Sequence, residues 1–205
     1  MWLPQGLPNS REKSRLRMPD VRPIDGKVVD IPLEKLSIRY IPMAKLEQWW
    51  DGDPLMALPT SPHVEIMRLM LEHGFDWKRL KHSRYADERR YRAKVGMPQW
   101  ERSSFMKAHL RKRYAILTSL RDTGYRPKLH KNRPVAILKE PFWVSRFKLN
   151  NPRVYGYEIW NGGGRSTAAY ALGWKTIPGQ FYEDTAPGTL SCPDLEKKFA
   201  KARVR

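Results

Sequence analysis

With 205 residues and a mass of 24.1 kDa, the chain is long enough for one well-buried domain and short for two. Its 40% hydrophobic and 11% aromatic content excludes a wholly disordered chain. A net charge of +18 excludes indifference to polyanions, and residues 78–133 alone hold eighteen basic and four acidic side chains, a surplus of +14.

Residues 1–26, with Pro4, Pro8, Pro19 and Pro23, read as an extended arm. Lys27 to Leu33 reads as a short strand ending at Pro32, followed by a helical turn around Glu34-Lys35-Leu36, and Gly52 to Thr60 reads as loop. Ser61-Pro62 has the form of a helix start, with an N-cap followed by proline at the first helical position. Val64, Met67 and Leu71 then continue an apolar stripe up to Gly74. Residues 76–100 are basic and aromatic with weak periodicity; Tyr85, Tyr91 and Trp100 interleave with arginines, a pattern that suits either stacking on bases or anchoring to a core.

A long amphipathic helix is predicted from Ser103 or Ser104 to Gly124, with Met106, Leu110, Tyr114 and Leu117 on one face. Two strands follow, over 134–139 and 154–160. Asn161-Gly162-Gly163-Gly164 reads as a glycine loop and Arg165 to Leu172 as a short alanine-rich helix closed by Gly173. The last strand, 175–182, is predicted to break at Pro178-Gly179, before a basic tail over 187–205. The domain proper is expected over 27–186, with a basic helical elaboration at about 76–112.

The candidate phosphate site is the strand–loop–helix at 161–167. Glycines allow backbone N–H groups to converge on an anion, and a helix N-terminus adds donors and the positive end of its dipole. Asn161, Gly162, Gly163, Gly164, Arg165, Ser166 and Thr167 are therefore expected to hold phosphate. The loop fits neither the dinucleotide fingerprint, since Thr167 stands where glycine is needed, nor a Walker A sequence. Glu158 is the carboxylate predicted to serve as general base, and Glu183 and Asp184 could hold a divalent ion. The five histidines and the lone Cys192 lack zinc-ligand spacing, so no resident metal site is expected. Nucleic acid is expected to meet Arg84, Arg89, Arg90, Arg92, Lys107, Arg111 and Lys112.

The run from Ile159 through Gly162, Arg165, Ala168, Ala169 and Gly173 to Pro178 resembles the signature segment of the ParB/sulfiredoxin superfamily. The helix ending at Gly124, the strand after Pro134 and the strand at Val28–Leu33 resemble that family's preceding elements. The resemblance implies a small mixed α/β (α+β) domain that holds nucleotide phosphates, as in CTP-binding partition proteins, ATP-dependent sulfiredoxins and free-amino-acid kinases; some relatives are described as nucleases. Gly162 and Arg165 would be the phosphate-contacting pair and ATP or CTP with magnesium the cofactor. Sulfiredoxin's reactive cysteine would fall at Gly163, so that chemistry is expected to be absent.

Three functions follow as alternatives: a binding module for nucleic acid, DNA favoured over RNA, and for a nucleotide; a phosphotransferase or nuclease-like enzyme on the same fold; or a basic scaffold within a nucleoprotein assembly. The expected setting is the cytoplasm of a bacterium or phage-infected host, with no membrane partner and with self-association or a larger assembly as an open option. The lack of an apolar span of ~20 residues and of disulfide pairs underlies that expectation.

Overall fold

Ser61 and Gly74 bound a helix for physical reasons that the computed structural model makes visible. The Ser61 hydroxyl accepts from the Val64 amide, Pro62 opens the first turn, and Gly74 leaves the helix at φ +66°. The structure describes residues 21–39, 55–94, 98–126, 134–140 and 156–185. The arm before Val21 and the tail after Thr185 lie outside them.

Among the described residues the chain forms seven strands and five α-helices. The strands are β1 (Val21–Pro23), β2 (Val29–Pro32), β3 (Leu36–Arg39), β4 (Leu55–Ala57), β5 (Val135–Leu138), β6 (Tyr157–Asn161) and β7 (Thr176–Asp184). The helices are α1 (Pro62–His73), α2 (Trp77–Leu80), α3 (Arg84–Lys94), α4 (Ser103–Thr123) and α5 (Gly163–Ala171). The architecture is mixed α/β of the α+β kind.

All seven strands belong to one mixed sheet, ordered β1-β7-β5-β6-β3-β4, with β2 also pairing β7. β5 runs parallel to β7 and antiparallel to β6, so α5 carries the chain from one side of β5 to the other. Two apolar clusters hold the layers together. One lies on the sheet and joins Ile31, Leu36, Ile38, Val135, Ile137, Ile159 and Ile177 to Val64 of α1 and Ala169 of α5. The other lies among the helices and includes Met67, Met70, Tyr85, Leu110, Leu117 and Ala168. The neighbouring alanines of α5 thus face different clusters.

Several elements differ from the sequence expectation; Leu36, placed in the helical turn, instead opens β3. Val21–Pro23, placed in the arm, is a strand antiparallel to the end of β7, with Arg22 clipped to Glu183 at 2.7 Å. Leu55–Ala57, placed in a loop, pairs with β3. β7 is continuous through Pro178-Gly179. β5 begins opposite Gly179, so Pro178 stands where the ladder has a neighbour only on the β2 side, at Asp30. Gly179 itself is demanded by packing: a Cβ there would lie 2.8 Å from Ile31 and 2.9 Å from Val135. No helix among the described residues is long and apolar enough to cross a membrane.

Candidate functional site

The glycine turn sits at the C-terminal end of β6 and leads directly into α5, which starts at Gly163, two residues earlier than the sequence suggests. Gly162 adopts φ +94°, the left-handed region, and a Cβ on it would meet Val135 Cγ1 at 2.6 Å. Gly163 and Gly164 are helical residues rather than loop; a Cβ on them would find Ile38 at 3.6 Å and Ile116 at 3.2 Å.

Most donors at this turn are already engaged. The amides of Arg165 and Ser166 both donate to the Gly162 carbonyl, at 2.9 and 3.0 Å. Ser166 and Thr167 are fully buried, and their hydroxyls donate back to helix carbonyls, Ser166 to Gly162 and Thr167 to Gly163 and Gly164. They correct the expectation of a seven-residue cradle, because side chains turned inward onto the helix present no donor to a ligand. What faces outward is the half-exposed stretch Gly162–Arg165, with Asn161 exposed before it. The first-turn amides of Gly163 and Gly164 have no carbonyl four residues back within the helix. The Arg165 guanidinium donates to Tyr125 Oη at 3.1 Å, with the phenol pushed up from its usual pKa by burial.

The proposed acids are not brought to this turn. Ile159 packs against the helices with Ala169, so its neighbour Glu158 points to the opposite face of the sheet, where it is fully buried. Register puts Asn161 beside Ala136 and Ala136 beside Gln180. Glu183 lies three residues farther along β7, or roughly 10 Å toward the other end of the strands, and it faces Arg22. The residues present therefore fit a phosphate contact by backbone and Arg165, and they do not fit a magnesium–triphosphate centre. Among the described residues no three His, Cys, Asp or Glu side chains cluster as metal ligands would.

The basic residues divide into two populations. Arg84, Arg90, Arg111 and Lys112 are exposed and Lys107 is half-exposed. Arg84 leans on Glu65, Arg90 on Asp87 and the Lys81 carbonyl, and Arg111 lies over Phe75. Arg92 belongs to α3, with its side chain outside the described residues. Arg89 departs from its expected role: it is 7% exposed, and its guanidinium carbon lies over the rings of Tyr85 and Trp100, 4.7 and 4.8 Å from their centres. A side chain held this way is part of the interior, not of the outer basic surface.

Arg89 belongs to a polar centre that no sequence motif announced. His63 of α1, Tyr85 and Glu88 of α3, and His109 and Arg113 of α4 meet there with Trp100. Tyr85 Oη lies 2.7 Å from His109 Nε2, which also accepts from Arg113 Nε at 3.1 Å. That nitrogen is therefore unprotonated. Arg113 reaches His63 Nδ1 at 3.3 Å and Thr167 Oγ1 at 3.5 Å, linking the centre to α5. His63 Nε2 lies 3.4 Å from both Arg89 Nη2 and Glu88 Oε2.

Burial lowers the pKa of His63 and that of His109 to about 3 each, and the adjacent guanidiniums push the same way. Burial also lowers Arg113 from its usual value. A signal for this centre does exist in the sequence. Arg113 falls on the stripe Met106, Leu110, Leu117, Leu120, and Arg89 falls on the stripe Tyr85, Ala86, Ala93. A charged residue on an apolar stripe is a buried charge.

No protein-family model, curated protein or solved structure matches this chain.

Proposed function

We propose that the protein is a nucleic-acid-binding module whose outer helical surface grips phosphates, and that it performs no catalysis of its own at the glycine turn. The observation that carries this reading is the surplus of +14 between residues 78 and 133, with Arg84, Arg90, Arg111 and Lys112 on exposed faces of α3 and α4. Arginine forks suit bidentate contact with phosphate, and clustered positive charge steers a polyanion toward its surface. The exposed arginines paired with Glu65 and Asp87 would exchange carboxylate for phosphate, so their contribution is smaller than that of Arg111 and Lys112.

Fluorescence anisotropy with duplex DNA, single-stranded DNA and RNA tests the reading. Affinity is expected to fall steeply between 50 and 200 mM salt, roughly tenfold or more for each few phosphates neutralised. The triple variant Arg84→Gln/Arg111→Gln/Lys112→Gln should flatten the log–log salt slope by about 2 to 3. Binding that is absent, or insensitive to salt, defeats the proposal.

A second reading adds a nucleotide at the turn, as the ParB-like resemblance implies. It is favoured by Gly163 and Gly164, half-exposed residues in the first turn of α5 beside Arg165. Calorimetry with ATP and CTP, compared with Arg165→Ala, checks it; equal affinity in the variant removes the turn from consideration. The engaged Ser166 and Thr167 hydroxyls and the position of Glu158 and Glu183 weigh against phosphotransfer or nuclease chemistry on this fold. A basic scaffold that packs against acidic subunits is the remaining alternative, and the salt titration separates it because it requires no affinity for free nucleic acid.

A further inference from the structure

We propose that the outer edge formed by β1, β2 and the bulge between them is a self-association surface, on which a second copy of this chain docks about a two-fold axis through Gly26. The contact does not rest on the nucleic-acid reading and stands or falls separately from it.

β1 and β2 lie end to end along one side of β7. Tyr182 has Pro23 on one side and Leu138 on the other, and Gly179 has Val29 and Val135, so β5 occupies the opposite side at both points. Among the described residues no strand pairs with the outer side of β1 or β2. Between Pro23 and Val29 the chain spends five residues where β7 spends two, Gln180 and Phe181, so it must bulge away from the ladder. The bulge is held in place. Gln180 Nε2 donates to the Gly26 carbonyl at 2.6 Å, the Lys27 amide donates to Asp25 Oδ1 at 3.0 Å, and Gly26 turns at φ +68°.

Every residue from Arg22 to Asp30 is exposed. Among the described residues, three of the four large apolar side chains left exposed gather here: Ile24 at 43%, Val28 at 54% and Val29 at 40%. Apolar side chains scattered singly over a surface need no explanation, but a cluster on a fixed bulge marks a contact.

Charge identifies the occupant. Counted outward from Gly26, Asp25 stands opposite Lys27, Ile24 opposite Val28, and Arg22 opposite Asp30. A two-fold axis through Gly26 therefore sets each charge of one copy against the opposite charge of the other, and apolar against apolar, as an isologous contact requires. These charges are available for it. Among the described residues Lys27 and Asp30 have no ion-pair partner, and Arg22 commits only its Nε, to Glu183. Two basic and two acidic side chains also leave the edge neutral in a chain of net charge +18, so a polyanion is not drawn to it and two like-charged copies can approach there. Pro23 and Pro32 offer no N–H, and the bulge interrupts the edge, which blocks a continuous ladder and onward polymerisation. A closed dimer held by side chains remains. Its nine residues a side fall short of the roughly 20–30 of a standard interface, so the dimer is weak, with a micromolar dissociation constant.

Sedimentation equilibrium of the full chain from about 1 to about 500 µM tests this, in about 0.3 M salt to screen the repulsion between two +18 chains. A monomer–dimer equilibrium is expected. Val28→Asp, at the most exposed of the three apolar positions, should weaken it about tenfold or more while leaving thermal unfolding of the monomer unchanged. Arg22→Asp and Asp30→Arg each set like charges face to face at two symmetric places, and each alone should weaken the dimer about tenfold. An equal mixture of these two variants should restore association, because both contacts across the mixed pair again join opposite charges. A monomer at every concentration overturns the proposal, whichever partner then covers the edge. So does association that survives Val28→Asp, or a mixture that associates no more tightly than either variant alone.

Discussion

Acidification from pH 7 to pH 5 should destabilise the protein through His63, and the size of the effect follows from its surroundings. The imidazole is 3% exposed and has its pKa lowered to about 3, whereas in the unfolded chain it takes its ordinary value near 6.5. Between those values the unfolded chain binds a proton that the folded one refuses, so stability present above pH 6.5 is lost as the pH falls toward 3. Linkage over this window gives a loss of about 2 kcal/mol at pH 5 from His63 alone. His109 acts in the same direction and contributes less, because its ring is only half-buried and water screens it.

The assay is urea unfolding at half-unit intervals from pH 7 to pH 5, a range that stops above the main titration of carboxylates. His63→Gln, which keeps a polar side chain but cannot titrate, will lower stability at every pH; the informative quantity is its slope. Near pH 5 that slope should be smaller than wild type by about 1.4 kcal/mol per pH unit, the value for one proton. A variant slope equal to that of wild type would refute the reasoning, since it would mean that His63 takes up its proton equally in both states.

Other outcomes follow from local geometry. Gly162→Ala must place a Cβ 2.6 Å from Val135 at φ +94° and should cost about 2–4 kcal/mol in thermal or urea unfolding, whereas Gly163→Ala, with its nearest neighbour at 3.6 Å inside a helix, should be neutral or stabilise by up to about 1 kcal/mol. Ser61→Ala removes a buried cap that accepts from Val64 and donates to Leu58, and should cost about 1–2 kcal/mol. Glu183→Gln breaks only an exposed pair with Arg22 and should change stability by less than about 1 kcal/mol, with no effect on nucleotide titrations.

Elements whose ends carry their own chemistry were legible from sequence. α1 lies between a hydroxyl cap and a left-handed glycine, and α4 runs to Gly124 at φ +67°, as the apolar spacing requires. β1 and β4 were not legible, since three residues are too few to display an alternation and their pairing energy comes from distant strands. The break expected in β7 failed because proline is harmless wherever a partner strand is missing. At the turn, glycine richness was visible, but its reasons were not. Gly162 and Gly179 are glycines because Val135 and Ile31 crowd them, a fact of long-range packing. Summed charge likewise could not separate Arg89 and Arg113, turned inward, from Arg84 and Arg111, turned outward; their placement on apolar stripes could.

The two adjacent alanines of α5 make this short helix a party wall. One small side chain serves the sheet and the next serves the helices, and Arg113 is bolted to the wall at Thr167. Neither room can be remodelled alone. Deleting the cationic segment around residues 76–112 would strip the plaster from the cluster that Ala168 joins, so the segment is structural masonry as much as ornament.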